Sequence, residues 1–290
     1  MQAVAGEVPP SAIVAGIGNG TRQIATMLNI TRTWNAVCSV GAMRRGLALA
    51  RDYAFRRSQF GKTLANQPLH TDTLAGLQAE YEAAFHLAFW TVELLGKQET
   101  NTATAGELRL LRILTPLAKL TTAKQAVAVQ TEVMECFGGA GYVEDTGIPR
   151  LIRDAHVFPI WEGTTNVLSL DVLRAIGKER QLPALREALT AMHASVRNAE
   201  LQKVVEQSKR AFEHVVAKLA SATPASSHEQ RDARRLALTL GRCIAASLLA
   251  RHAQWCSDQQ QDPRPSWAAQ RFCAHGLDKL DDIGPPKHSY

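Results

Sequence analysis

Residues 74–95 read LAGLQAEYEAAFHLAFWTVELL, and their pattern indicates the fold class. Apolar side chains recur there at steps of three and four residues, at Leu74, Leu77, Tyr81, Ala84, Phe85, Ala88, Val92 and Leu95. An α-helix brings such positions onto one face, which packs against a protein core. The stretch therefore predicts a long helix that is buried along one side.

Helical spacing continues on both sides of this stretch. No proline occurs over residues 20–57, which predicts a first helix, and Phe60 and Gly61 then break the pattern. A third helix is predicted over 107–137 and ends at a pair of glycines, which suit a helix C-terminus. Pro116 lies inside it and predicts a kink or an earlier break, because proline removes a backbone hydrogen bond.

An irregular stretch rich in Gly and Pro follows over residues 138–163. After it, Thr164 and Thr165 offer N-caps for a fourth helix that runs through Ile176. A helix N-terminus is therefore expected directly after this irregular stretch.

The rest of the chain is also predicted to be helical, near 183–220, 228–257 and 265–280, with a linker at 221–227. No stretch alternates as a strand does, and no hairpin signal or internal repeat is present. The predicted fold class is all-α, a helical bundle, and such bundles serve many functions.

Composition excludes several classes of protein. The hydrophobic and charged fractions, 46% and 21%, are those of an ordinary globular chain. No apolar run approaches the roughly 18 to 20 residues that span a bilayer, and no leader-like start is present.

The five cysteines form no CxxC pair, and the histidines form no HxxxH or HxxE cluster. We therefore expect no metal site and a reducing intracellular compartment, mitochondrial or cytoplasmic.

The net charge of +6 is concentrated towards the C-terminus. Residues 178–290 contain 17 Lys and Arg against 12 Asp and Glu. No long basic block occurs, so a solvated helical surface explains this excess better than a site for a polyanion.

Three short strings can carry chemistry: YAFRRSQFG at 53–61, FGGAGY at 137–142 and IWEGTTN at 160–166. The arginines of the first string either end a helix favourably or form a fork that faces a diphosphate. The glycines of the second either end a helix or let backbone N–H groups approach a phosphate or ribose. The glutamate of the third either compensates a helix dipole or, in a partly apolar pocket, acts as a general base. A further string, GIGNG at 16–20, lacks the spacing and the preceding strand of a dinucleotide motif.

In this order, the three strings resemble the acyl-CoA dehydrogenase family over about residues 10–180. The strings PLH at 68–70, LTPLAK at 114–119 and IPRLIRD at 148–154 are similar to its AidB-type, alkylation-response branch. Residues 181–290 resemble the helical extension of that branch. The resemblance implies two domains, 10–180 and 181–290.

The resemblance implies an FAD-dependent oxidoreductase that removes hydrogen from the α and β carbons of fatty acyl-CoA thioesters. Glu162 matches the catalytic base, which removes the α-proton. Some relatives place this base where Thr31 stands, and threonine cannot serve. Arg32 matches an active-site arginine near the substrate, and Gly163 would pack beside the thioester as a second substrate-binding residue.

The same resemblance implies an FAD site shared between the copies of a homo-oligomer, a dimer or a tetramer. The implied FAD-binding residues are Arg57, Ser58, Gln59, Gln67, Glu135, Gly138, Gly139, Thr164, Thr165 and Asn166. Glu135 departs from the family pattern, because many members have glutamine there. The electron acceptor and the acyl-chain length stay open.

Two domains of the family, an N-terminal helical domain and a middle β-domain, have no counterpart in these 290 residues. We therefore expect a fragment or truncated product that does not turn over by itself. Two alternatives stay open. One is an AidB-type stress flavoprotein whose basic C-terminal helices bind DNA weakly, and the other is a non-catalytic oligomerisation partner.

Overall fold

The computed structural model describes residues 24–221 and 227–280, and these residues form an almost wholly helical structure. The all-α prediction is confirmed. The GIGNG string at 16–20 and positions 222–226 of the predicted linker lie outside the described residues. The helices are α1 (Ala25–Arg56), α2 (Pro68–Glu99), α3 (Ala105–Cys136), α4 (Gly139–Tyr142), α5 (Ile148–Val157), α6 (Thr165–Gly177), α7 (Leu182–Ala194), α8 (Ala199–Ser221), α9 (Ser227–Asp258) and α10 (Arg264–Ala274).

Helices α1, α2 and α3 have 32 residues each and pack against one another. Helix α3 is the central element, since it contacts α1, α2, α5, α6, α7 and α9. A capping box starts this helix, in which Thr104 and Glu107 satisfy each other's backbone N–H groups. Helix α3 continues through Pro116, so the predicted alternative of an earlier break at this proline is wrong. Burial of its apolar side chains on several faces outweighs the hydrogen bond lost at the proline.

The expectation that the chain has no strand is wrong at one place. Two-residue strands, β1 (Ser58–Gln59) and β2 (Lys62–Thr63), pair antiparallel around Phe60 and Gly61. Both turn residues have positive φ, 52° and 81°. A hairpin this short has no room for an alternating pattern, which explains why the sequence shows only an interruption.

Two further predictions need correction. Residues 138–163 are not uniformly irregular, because they contain α4, α5 and a 3₁₀ turn. The segment predicted near 183–220 is two helices, since the chain turns between α7 and α8. The side chain of Asn198 there accepts hydrogen bonds from the N–H groups of Glu200 and Leu201, at 2.9 and 3.3 Å. It thus provides the cap at which α8 begins.

Helices α7 to α10 form a second helical layer against the first. A partly buried ionic cluster joins the layers: Glu80 of α2 accepts hydrogen bonds from Arg242 of α9, Gln125 of α3, and His275 after α10. Burial opposes the ionisation of Glu80, but the hydrogen bonds from His275 and Arg242 outweigh it and lower the Glu80 pKa to about 2. No helix within residues 24–221 and 227–280 is long and apolar enough to cross a bilayer.

Candidate active site

The turn that carries Glu162 lies between α5 and α6 and has an unusual backbone. Glu162 has a φ of 57°, which is rare for a residue with a side chain, and Gly163 has a φ of 107°. A Cβ atom at Gly163 would lie 3.0 Å from the Leu168 side chain, so glycine fits both the backbone angle and the space. The Thr164 side chain then caps α6 by accepting from the Val167 N–H, as predicted. Local strain of this kind persists only where other contacts hold the backbone.

Two cationic side chains bond to the carbonyl groups of this turn. Lys119, in the middle of α3 and only 1% exposed, donates a hydrogen bond of 2.6 Å to the Gly163 carbonyl oxygen. Arg32 of α1 donates from Nε to the Glu162 carbonyl oxygen at 3.3 Å. Charged donors make the stronger hydrogen bonds in proteins. The turn is therefore attached to both α1 and α3 at consecutive peptide groups.

Arg32 is itself held by an ion pair. Its Nη1 atom lies 2.9 Å from Asp171 Oδ2 on α6, and their side chains are 14% and 13% exposed. Arg112 of α3 reaches the other oxygen of Asp171 at 2.8 Å and also pairs with Glu179. Because this network is mostly withdrawn from water, it connects α1, α3 and α6 around the turn more strongly than a surface pair would.

The electrostatics of Lys119 follow from its surroundings. Burial lowers the pKa of its amine to about 8, the nearby Arg32 adds to the lowering, and Glu162 opposes it. Lys119 is therefore mostly protonated at neutral pH and places a positive charge behind the turn.

The carboxylate of Glu162 is half-buried and accepts no hydrogen bond within the part of the chain that the structure describes. The two residues directly before it in the chain, Ile160 and Trp161, are apolar and solvent-facing. A carboxylate in this position can accept a hydrogen bond or a proton from a ligand.

A second group of predicted residues lines a cleft of about 600 Å³ where α1 ends, beside the C-terminus of α3. This cleft, which we call the α3 cleft, is lined by Tyr53, Arg57, Gln59, Leu64, His70, Glu135, Cys136, Phe137, Gly138, Gly139 and Ala140. Gly138 has a φ of 59°, and Cβ atoms at Gly138 and Gly139 would point into open space. The buried Nε2 atom of His70 has no hydrogen-bond partner within the described residues.

The structure thus separates the predicted residues into two groups. Arg32, Glu162 and Gly163 meet at the turn, and residues 164–166 begin α6 beside them. Thr165 is buried and Asn166 accepts a weak hydrogen bond, 3.4 Å long, from Arg234 of α9.

The other group lies at the α3 cleft. Arg57, Gln59, Glu135, Gly138 and Gly139 line it. Gln67 holds the backbone of one lining residue, because it donates a 3.0 Å hydrogen bond to the Gln59 carbonyl oxygen. Ser58 is exposed next to it on β1.

Three residues of the two sites were not predicted to function: Lys119, Asp171 and His70. A signal for Lys119 was present, because it interrupts a run of Leu, Ala and Thr in α3 that leaves no polar face for a charge. Asp171 carries a similar signal, because it interrupts the mostly apolar run VLSLDVLRAI at 167–176, whereas His70 carries none, since Thr71 and Asp72 follow it. Among residues 24–221 and 227–280, no group of three or more His, Cys, Asp and Glu side chains is placed to hold a metal ion.

Comparison with known proteins decides the family. The family model described as "Acyl-CoA dehydrogenase, C-terminal domain" matches residues 18–177, which is more than half of the chain. The chain belongs to the acyl-CoA dehydrogenase family. A second model, "Acyl-CoA dehydrogenase 11 C-terminal domain-like", matches residues 182–282 of this acyl-CoA dehydrogenase family member.

Two curated relatives show where in the family the similarity lies. Acyl-CoA dehydrogenase family member 11 of Caenorhabditis elegans is 42% identical over 265 residues, which cover 88% of this chain and 42% of the relative. The acyl-CoA dehydrogenase-family protein AidB of Escherichia coli K12 is 37% identical over 162 residues, which cover 56% of this chain and 29% of AidB. These matches confirm the resemblance to the AidB-type branch.

Solved structures agree with this assignment. The crystal structure of Caenorhabditis elegans ACDH-11 in complex with C11-CoA superposes with a TM-score of 0.87 at 39% identity, covering 92% of this chain and 46% of that one. The Bacillus anthracis acyl-CoA dehydrogenase complexed with FAD has a TM-score of 0.76 at 22% identity, over 91% of this chain and 49% of that one, which shows a common fold. This family member therefore spans less than half the length of each relative named here.

Proposed function

We propose that this chain provides the general base and part of the FAD site of an acyl-CoA dehydrogenase. The reaction is the α,β-dehydrogenation of an acyl-CoA thioester, and Glu162 removes the α-proton. One observation carries the proposal: the Glu162 carboxylate accepts no hydrogen bond from the described residues, while Lys119 and Arg32 hold its backbone. A base needs this combination of an accessible lone pair and a fixed position.

An acyl-CoA thioester is the substrate class that we propose. The Caenorhabditis elegans relative, 39% identical over the aligned structure, was crystallised with C11-CoA. In this chain Gly163 offers close backbone approach beside the base. The Nη2 group of Arg32 makes no hydrogen bond within the described residues, so the proposed substrate contact remains available to it.

The α3 cleft fits the adenosine diphosphate part of FAD. Arg57 provides a fork for a diphosphate, and the open side of Gly138 and Gly139 lets a ligand approach the backbone. The buried Nε2 atom of His70, which has no partner among the described residues, is a polar atom that a ligand can satisfy. Glu135 would repel a phosphate but would accept hydrogen bonds from ribose hydroxyl groups. When bound, FAD supplies the hydride acceptor for the reaction.

The separation of the two sites favours an FAD shared between copies. Glu135 lies 16 residues beyond Lys119 on α3, which at about 1.5 Å per residue is roughly 24 Å along the helix. The α3 cleft is therefore far from the Glu162 turn of the same copy. We propose that the cleft binds the adenosine end of the flavin whose ring serves a neighbouring copy in a homo-oligomer.

The test is anaerobic mixing of the full-length protein, loaded with flavin, with a panel of acyl-CoA esters that differ in chain length. Loss of the oxidised-flavin absorbance with at least one ester supports the proposal. Dithionite is the positive control for a reducible flavin. If dithionite reduces the flavin and no ester does, the dehydrogenase proposal is wrong, and the non-catalytic oligomerisation partner becomes the better hypothesis.

A further inference from the structure

A lysine lies at a place where the fold makes a charge costly. Lys119 is among the largest side chains that the fold buries completely, and it is flanked on α3 by buried apolar residues such as Leu117 and Leu120. A buried ammonium group is retained only where something satisfies its hydrogen-bonding capacity. Its hydrogen-bond acceptor is the Gly163 carbonyl oxygen, at 2.6 Å.

This hydrogen bond acts on the strained part of the turn. Glu162 and Gly163 both have positive φ, and for Glu162 that conformation costs free energy. In an isolated turn, Glu162 would relax to negative φ, which would rotate its Cα–Cβ bond and move the carboxylate. The hydrogen bond from Lys119 fixes the carbonyl oxygen of Gly163, and the hydrogen bond from Arg32 fixes the carbonyl oxygen of Glu162.

We propose that Lys119 is a positioning residue for the Glu162 base, acting through the Gly163 carbonyl group. This inference rests on the proposed function. Lys119 does not exchange a proton with the substrate. Its role is to keep the base-bearing turn in its left-handed conformation, so that the carboxylate meets the α-proton in each turnover. Small displacements of a catalytic group lower the rate strongly, because the reacting atoms must be aligned.

Lys119→Met tests this, because methionine keeps an unbranched apolar stem of similar shape and removes the donor. Lys124→Met is the matched control, since it is the same substitution on the same helix at a partly exposed position. Hydrogen exchange of the 290-residue chain, followed by mass spectrometry, is compared for peptides that span residues 159–168. Loss of a hydrogen bond to a charged donor should speed exchange there by roughly tenfold or more.

A kinetic measurement on the flavin-loaded protein separates positioning from simple packing. For Lys119→Met we expect kcat to fall by roughly tenfold or more with KM nearly unchanged, since binding contacts remain while alignment is lost. Flavin content should equal that of the Lys124→Met control. Exchange over residues 159–168 that matches the control, or an unchanged kcat despite faster exchange, would overturn the positioning role.

The contact itself can be tested without a substitution, should Lys119→Met fail to fold. In the unsubstituted chain labelled with 15N-lysine and 13C-carbonyl glycine, NMR should detect a through-hydrogen-bond coupling between one lysine Nζ and one glycine carbonyl. Its absence would overturn the proposal. Failure of the dehydrogenase proposal can be told apart from failure of the positioning proposal. A Glu162→Gln protein that still turns over contradicts the assignment of the base, but it does not change the hydrogen-exchange and NMR results that report the Lys119 contact.

Discussion

Arg242 of α9 forms a two-pronged ion pair with Glu80 of α2, at 3.0 and 3.1 Å. The guanidinium group also donates to the Gly276 carbonyl oxygen at 2.8 Å and lies over the Phe272 ring at 4.2 Å. With His275 on the same carboxylate, this arrangement attaches the second helical layer to the first. Partly buried pairs of this kind are costly to break by removing one partner.

This cluster predicts how stability depends on pH. The Glu80 pKa is lowered from 4.5 to about 2 in the folded state. Its stabilising contribution is therefore complete above about pH 5 and is lost as pH falls towards 2, by up to about 3 kcal/mol from the shift in pKa. Urea unfolding of the parent and of Glu80→Gln, measured between pH 2.5 and 6, should show a clearly weaker acid dependence in the variant. The exposed Glu206→Gln serves as the control, and equal slopes for all three proteins would contradict the prediction.

Glu162→Gln should abolish turnover while leaving the fold intact. The amide keeps the shape of the carboxylate but cannot accept the α-proton. We expect the rate of flavin reduction by acyl-CoA to fall by at least roughly 100- to 10,000-fold, the usual contribution of a general base. Stopped-flow absorbance measures the rate, and a perturbed flavin spectrum reports that acyl-CoA still binds. Reduction at the parental rate would mean that another group is the base.

Arg57→Ala should weaken FAD retention, because the α3 cleft loses its diphosphate-facing fork. The loss should be partial, since the glycines and His70 remain. Arg56→Ala is the matched control, as Arg56 is exposed and pairs with Asp52 on its own helix. The FAD dissociation constant of the flavin-loaded protein decides the matter. Identical constants for the two variants would leave Arg57 as a helix-end residue only.

Weak DNA binding by residues 181–290 stays a prediction. Many basic residues of this region have acidic partners, which reduces its positive potential: Arg186 with Glu213, Arg197 with Asp258, Lys203 with Glu200, Arg210 with Glu206 and Arg235 with Asp232. Any binding of DNA should therefore be weak, and its affinity should fall steeply as the salt concentration rises. A mobility-shift titration of the 290-residue chain at low salt, repeated with Arg231→Glu, measures it. No shift at low salt would remove the nucleic-acid hypothesis.

The sequence by itself determined the helical fold class and most of the helices. Apolar periodicity is a local property, and it reports burial wherever one face of a helix is buried, as in α2. Short-range signals also succeeded at Thr164, whose side chain caps the helix that begins at the next residue. They were missed at Asn198 and at the β1–β2 hairpin, because one capping side chain or a two-residue strand is too short to produce a period.

Only the tertiary structure decided which residues act together. Lys119 and Gly163 are separated by 44 residues, and Arg32 and Glu162 by 130, so no spacing in the sequence relates them. The family resemblance assigned Glu162 as the base and gave one set of cofactor residues, but the fold divides that set between the turn and the α3 cleft. The physical reason is that helix packing brings distant side chains to one point, whereas periodicity records only that a residue is buried and not against which partner.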